Sequence, residues 1–181
     1  MVRADTAFDY FREIDRLAAR NAAGMPKRKD PGKLWQGLVY KVGDATLVTP
    51  LDQIAAILPV PRLVRVPGAK PWALGVANVR GSLTALFDMH GFLYGSNILQ
   101  DRRSTVLVCK SDQLNAALIV SASLGLRNFL ESAREPSRNR EPALAACVEY
   151  DVRDGQSVYP VFDFARLYVT PSFRDVVAKE N

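Results

Sequence analysis

The chain has 181 residues, 48% hydrophobic and 24% charged, with two cysteines and one histidine. That composition fills a core, so it excludes disorder over most of the length, a disulfide-dense secreted scaffold, and a structural zinc site needing four Cys or His ligands. No run reaches the roughly 20 apolar residues of a membrane helix, and Arg3, Asp5, Asp9, Arg12 and Glu13 deny the N-terminus a signal-peptide core, so a cytoplasmic protein with reduced thiols is expected.

The net charge of +5 is unevenly placed. Residues 1–23 balance, the stretch Gly24–Lys33 (GMPKRKDPGK) nets +3, and everything from Leu34 onward nets +2. Basicity is therefore mostly a property of a solvated linker, with a phosphate or anionic-membrane patch as the alternative.

Taken in chain order, Thr6–Asn21 places Ala7, Phe8, Phe11, Ile14, Leu17 and Ala18 at three- and four-residue intervals, one apolar helix face. Thr6 and Asp9 resemble a capping box, and Gly24 and Pro26 follow as stop signals. A helix of this length is marginal alone in water, so Phe8, Phe11, Ile14 and Leu17 must dock, either on their own domain or on a partner.

From Trp35 the pattern changes to short strands. Trp35–Val42 and Ala45–Thr49 flank Gly43-Asp44, a two-residue hairpin signal. Leu51–Leu58 is apolar but ambiguous, and Pro59, Pro61, Pro67 and Pro71 then impose an extended path. Leu74–Val79, Arg80-Gly81 and Ser82–Phe87 read as strand, turn, strand. Thr105–Lys110 and Leu114–Val120 form a hairpin about Ser111-Asp112-Gln113, Glu131–Pro142 reads as a long exposed loop, and Cys147–Val152 with Ser157–Phe162 form the last hairpin.

A weak repeat links two of these units. Val79-Arg80-Gly81 opens a strand ending Leu86-Phe87-Asp88, and Leu93-Tyr94 follows. Val152-Arg153-Asp154-Gly155 opens one ending Val161-Phe162-Asp163, and Leu167-Tyr168 follows. Each reads as a hairpin followed by a short helix, with Asp88 and Asp163 as N-caps. Two small barrels sharing a core are expected, since neither is large enough to be very stable alone.

Catalytic chemistry is hard to find. His90 is the sole imidazole and follows a strand end, where a surface or capping role is expected. No nucleophile elbow, phosphate-binding loop or carboxylate pair occurs, and Cys109 and Cys147 read as small core side chains. No catalytic residue, metal or cofactor is expected. A small-barrel nucleic-acid-binding protein is the alternative from another class. Its aromatics, Trp35, Tyr40, Phe87, Tyr159 and Phe162, have only Lys41 and Arg80 as basic neighbours, so no nucleic-acid partner is expected.

The segment Val66–Asp88, VPGAKPWALGVANVRGSLTALFD, resembles the signature of CheW-like domains. Gly75, Asn78, Arg80, Gly81 and Asp88 match at the family's spacing, and the resemblance extends over about Trp35–Tyr168. It implies a mainly β fold of two SH3-like, five-stranded barrels. It also implies a non-enzymatic adaptor bridging the cytoplasmic tip of a methyl-accepting chemoreceptor and the regulatory domain of a CheA-type histidine kinase. Membrane association would then come only through the receptor. The added N-terminal helix, the basic linker and the Glu131–Pro142 loop make the chain resemble the PilI-type adaptors of type IV pilus (twitching motility) systems. The expected organisation is 1–33 helix and linker, 34–170 CheW-like domain, and 171–181 tail.

Three positions depart from the family pattern: Ala56 where a Glu is frequent, His90 where an Arg is frequent, and Ser121 after Val120 where an Asp is frequent. The residues expected to meet partners are Asn78, Arg80 and Gly81 at the turn, with Ile54, Ala56, Ile57, Val64, Val66 and Trp72. Arg80 has two readings, a clamp on carbonyls or a carboxylate, or a partner contact. Ile54–Leu58 likewise reads as a core strand or an apolar docking edge.

Overall fold

The computed structural model describes residues 32–97, 101–111, 115–138 and 142–177. These belong to the larger of two compact units, Gly32–Asn181. The helix expected over Thr6–Asn21, with Phe8, Phe11, Ile14 and Leu17, lies outside the described residues.

Strands β1 (Leu34–Val42) and β2 (Ala45–Pro50) pair antiparallel about Gly43-Asp44, where Gly43 takes a φ of 59°. The ambiguous apolar run resolves into a single 3-10 turn, Leu51–Gln53, and β3 (Ile54–Pro59). After the proline-rich stretch come β4 (Ala73–Val79), β5 (Ser82–Asp88) and α1 (Met89–Tyr94). Then follow β6 (Thr105–Cys109), β7 (Ala116–Val120), β8 (Ala122–Leu130) and β9 (Arg134–Pro136). The chain continues through α2 (Pro142–Cys147), β10 (Val148–Asp154), β11 (Ser157–Phe162), α3 (Phe164–Val169) and α4 (Pro171–Arg174).

Two sheets result, ordered β8-β1-β2-β11-β10-β9 and β3-β6-β7-β5-β4. Most pairs are antiparallel; β11 with β2 and β5 with β7 are parallel, which lets each sheet curl on itself. Each sheet encloses a small core of its own, Val39, Val48, Phe129 and Val161 in one and Leu86, Val106 and Ile119 in the other. A third and larger core joins them. It takes Leu38, Tyr40 and Leu47 from the first sheet, Phe87, Leu107 and Leu118 from the second, and Met89, Leu144, Leu167 and Phe173 from the helices. The period of two along β1 explains the sharing, because Val39 points into its own barrel while Leu38 and Tyr40 point to the other half. The Tyr40 hydroxyl is fully buried yet satisfied by Thr49 Oγ1 at 3.0 Å, which itself donates to the Phe162 carbonyl at 2.9 Å.

Four features differ from the sequence reading. The first sheet has six strands, because Glu131–Pro142 is not one long loop: it contains a 3-10 turn and the three-residue β9 paired with β10. Cys147 closes α2 instead of opening a strand, since Pro142-Ala-Leu-Ala-Ala supplies a helix start and good helix formers. Strand β8 is long and was not expected, because Ser121, Ser123 and Gly125 interrupt its pattern. It forms because the nine-residue β1 offers a second edge, with a bulge at Val39/Tyr40 opposite Gly125, whose φ is 105°. Finally, Pro171–Arg174 forms α4, with Phe173 only 3% exposed.

Candidate functional site

The turn between β4 and β5 has two residues, Arg80 and Gly81, between the paired Val79 and Ser82. Both take positive φ, 52° and 87°. A turn of this kind matches strand twist but favours Asn-Gly, because only Gly and, less readily, Asn or Asp tolerate the left-handed region. Here an arginine occupies the first position. The turn is fastened by Asn78, whose Oδ1 accepts the Gly81 N–H at 2.8 Å. The Arg80 side chain is exposed and makes no hydrogen bond or ion pair among the described residues. The clamp thus belongs to Asn78, while Arg80 presents a bare cation on a strained tip.

Several apolar side chains of this half are exposed. Leu83, the register partner of Asn78, is 68% exposed. Val64 is 69% exposed although its backbone is fixed by reciprocal hydrogen bonds with Val76, each 2.9 Å. Val66 and Ile57 are also exposed. Three residues expected at this surface are not on it. β3 alternates, so Ile54 and Ala56 face the core at 9% exposure each while Ala55, Ile57 and Pro59 are exposed. Strand β3 is a sheet edge, paired only with β6, so it is both a core strand and an exposed edge. Trp72 is half-buried, stacked on Phe173 at 5.5 Å and edge-on to Phe92 at 5.2 Å.

A second apolar face was missed by the sequence reading. Leu34, Leu124, Leu126 and Leu130 are exposed on β1 and β8, with Leu34 opposite Leu130. Their signal is the alternation Leu124, Leu126, Asn128, Leu130 in SLGLRNFL, obscured by the glycine.

The titratable and nucleophilic side chains singled out in the sequence hold structural positions. Burial pushes the Cys109 thiol up to about 12 and the Cys147 thiol up to about 11, so both stay protonated and unreactive near neutrality. Burial likewise raises the Tyr40 and Tyr168 hydroxyls above the ordinary tyrosine value. His90 Nδ1 meets the Ser96 carbonyl oxygen and its ring lies 4.9 Å from Tyr94, a local packing role. Asp88 and Asp163 cap their helices, accepting from Gly91 N at 3.0 Å and Ala165 N at 2.7 Å. Ser121, at the third departing position, accepts the Gly43 N–H at 2.8 Å and anchors the β1–β2 turn.

This arrangement of two joined sheets has known counterparts. Residues 36–170 match the CheW-like domain. The chain belongs to the CheW-like family. It is 35% identical over 130 residues to Protein PilI of Pseudomonas aeruginosa, covering 71% of this chain and 72% of that protein. Its fold superposes on the crystal structure of scaffolding protein TtCheW from Thermoanaerobacter tengcongensis with a TM-score of 0.69, covering 77% of this chain and 96% of that one, at 14% identity. No helix among the described residues is long and apolar enough to cross a membrane.

Proposed function

We propose that this protein is a cytoplasmic, non-catalytic adaptor that couples a chemoreceptor to a CheA-type histidine kinase, in a chemosensory system controlling type IV pili. The CheW-like match across both barrels carries the reading, and the likeness to PilI supports the pilus system. An adaptor needs two docking faces. The chain offers the Asn78–Arg80–Gly81 tip with Leu83, Val64, Val66 and Ile57, and the β1–β8 leucine face. Both would bind through apolar area and strand edges, with Arg80 adding direction. Residues 1–24 would influence which partner is chosen, so a chain starting at Lys33 should keep its unfolding midpoint and change its partner preference. The rival nucleic-acid reading loses its stacking platform, since Tyr40, Phe87, Tyr159 and Phe162 are all buried.

The test is a binding titration of the full chain against the kinase regulatory domain and the receptor's cytoplasmic tip. Saturable binding to both is expected. Binding to neither, with salt-dependent retention of oligonucleotides on a filter, overturns the reading.

A further inference from the structure

Charge divides this molecule between its two halves. Residues 54–120, which build the second sheet, net +4, while 34–53 and 121–170, which build the first, net −2. From Gln53 to Phe87 the sequence holds no acidic residue, only the cations Arg62, Arg65, Lys70 and Arg80. The ion pairs widen the contrast. Cations of the first half are answered locally, as in Arg127–Asp154, Arg134–Glu131 and Arg153–Glu135. In the second half Lys70 pairs with Asp175 and Arg103 with Asp101. Arg62, Arg65 and Arg80 are exposed and make no hydrogen bond or ion pair among the described residues. Asp88, the acid that ends the run, is buried as a helix cap.

The fold brings these three arginines to one edge. Val64 and Val76 exchange backbone hydrogen bonds of 2.9 Å, so the segment carrying Arg62 and Arg65 runs along the outer edge of β4. β4 itself ends at the turn that holds Arg80. Pro61 and Pro67 bracket the segment and restrict its backbone. Charges fixed on one edge add their potentials over a Debye length of about 8–10 Å.

We infer that this edge docks an acidic surface of a protein partner, and that its charge acts mainly on the rate of encounter. The inference rests on the adaptor reading and adds the chemistry of the partner: carboxylates where it meets the second half, with no such requirement at the first half, whose cations are already paired. Exposed charges of this kind steer association more than they slow release. The planar fork of arginine suits carboxylates. Three cations fall short of the roughly four to eight that hold a protein on an anionic membrane. Tyr40, Phe87, Tyr159 and Phe162 are buried and offer nucleic acid no stacking platform.

The test follows association of the full chain with the kinase regulatory domain and with the receptor's cytoplasmic tip by stopped flow. The partner whose binding Arg80→Ala weakens should associate at least tenfold more slowly at about 300 mM than at about 25 mM salt, with its dissociation rate changed less than threefold. The double variant Arg62→Glu/Arg65→Glu should slow that association at least tenfold at low salt and keep the thermal midpoint. Lys41→Glu, an exposed change on β1, should alter it less than twofold. A polyglutamate peptide is the probe that needs no partner. Because residues 24–33 are themselves basic, its site is read from backbone amide shifts and not from total binding. Shifts at 60–66 and 79–83 are expected, and the double variant should lose them. Salt-independent association, equal slowing by Lys41→Glu, or shifts that avoid this edge would each overturn the inference. So would phosphatidylglycerol vesicles or a thymidine oligonucleotide shifting the same amides at lower concentration than the peptide. If the peptide maps to this edge but neither partner binds, the adaptor reading fails alone. If both partners bind at rates that ignore salt, the acidic-partner inference fails alone.

Discussion

The hairpin and helix made by β4, β5 and α1 and those made by β10, β11 and α3 share one sequence grammar but end in opposite surfaces. Both have an irregular register near the start, at Ala73/Gly75 and at Val148/Asp151, and both end on an aspartate that caps a six-residue helix. Their tips diverge. In the second unit Arg153 pairs with Glu135 and Asp154 pairs with Arg127 at 3.0 Å, and Arg127 also lies 5.7 Å over the Tyr159 ring. Every charge at that tip is answered within the chain. In the first unit Arg80 has positive φ and no ion pair among the described residues, and Leu83 nearby is exposed. The two units thus share their internal rules and differ in how their tips are partnered. The tip tied off by ion pairs belongs to the frame; the open tip is the one proposed above as a docking face.

The largest test of the comparison is at the two irregularities. Gly75 has a φ of 141° and no room for a Cβ, whereas the second unit places Glu149 and Tyr150 at its own irregularity. Gly75→Ala should cost about 3 kcal/mol from backbone strain and overpacking together, lowering the thermal midpoint by about 6–12 °C. Tyr150→Ala, at a half-buried position, should cost clearly less. Equal losses would show that the two irregularities are held alike.

The caps come next. Asp88 is 1% exposed, while Asp163 is half-buried. Asp88→Ala should therefore cost about 2 kcal/mol and Asp163→Ala about 1 kcal/mol by urea unfolding, because a buried helix end has no water to replace the cap. The reverse order would contradict the burial argument.

The ion pairs of the second tip should matter less. Hydrogen bonding to Arg153 holds the Glu135 carboxyl below its ordinary value. A carboxylate favoured by folding contributes above the usual carboxylate range, and that contribution is lost as pH falls through the lowered folded value. Glu135→Gln should therefore lower the unfolding midpoint slightly at pH 7 and not at all once the carboxyl is protonated. High salt should shrink the difference, since the pair is exposed. A difference that persists at low pH would point to packing instead.

Much of this comparison was legible in the sequence. The hairpins, the caps and the shared core follow from alternation, Gly-Asp and Arg-Gly turns, and aspartates that close apolar strands, Leu86-Phe87-Asp88 and Val161-Phe162-Asp163. What was not legible depended on partners distant in the chain. β8 exists because β1 offers an edge, and α4 is fixed because Phe173 finds Trp72 and Phe87. Ile54 and Ala56 read as either core strand or docking edge, and Trp72 as part of a proline-rich docking stretch. Only the register of β3 on β6 turns Ile54 and Ala56 inward, and only the aromatic cluster half-buries Trp72. The charge state of each tip was equally hidden, since Glu135 answers Arg153 from a segment that reads as loop.

Arg80 gives the smallest effect on stability and the sharpest test of the open tip. Its side chain bonds nothing among the described residues, so Arg80→Ala should leave the thermal midpoint unchanged while weakening binding to the kinase domain or the receptor tip at least tenfold. Arg80→Asn carries the argument further. Asparagine tolerates positive φ better than arginine, so at a φ of 52° the substitution should raise stability by up to about 1 kcal/mol. The Asn78–Gly81 hydrogen bond would survive, because it uses neither the Arg80 side chain nor its backbone. A variant that is more stable, identically folded and defective in binding separates the two roles in a way a destabilising change cannot. It would show that arginine holds this position for its charge, against the preference of the turn. If Arg80→Asn instead melts lower and binds at full strength, Arg80 is a structural residue and the contrast between the tips loses its functional meaning.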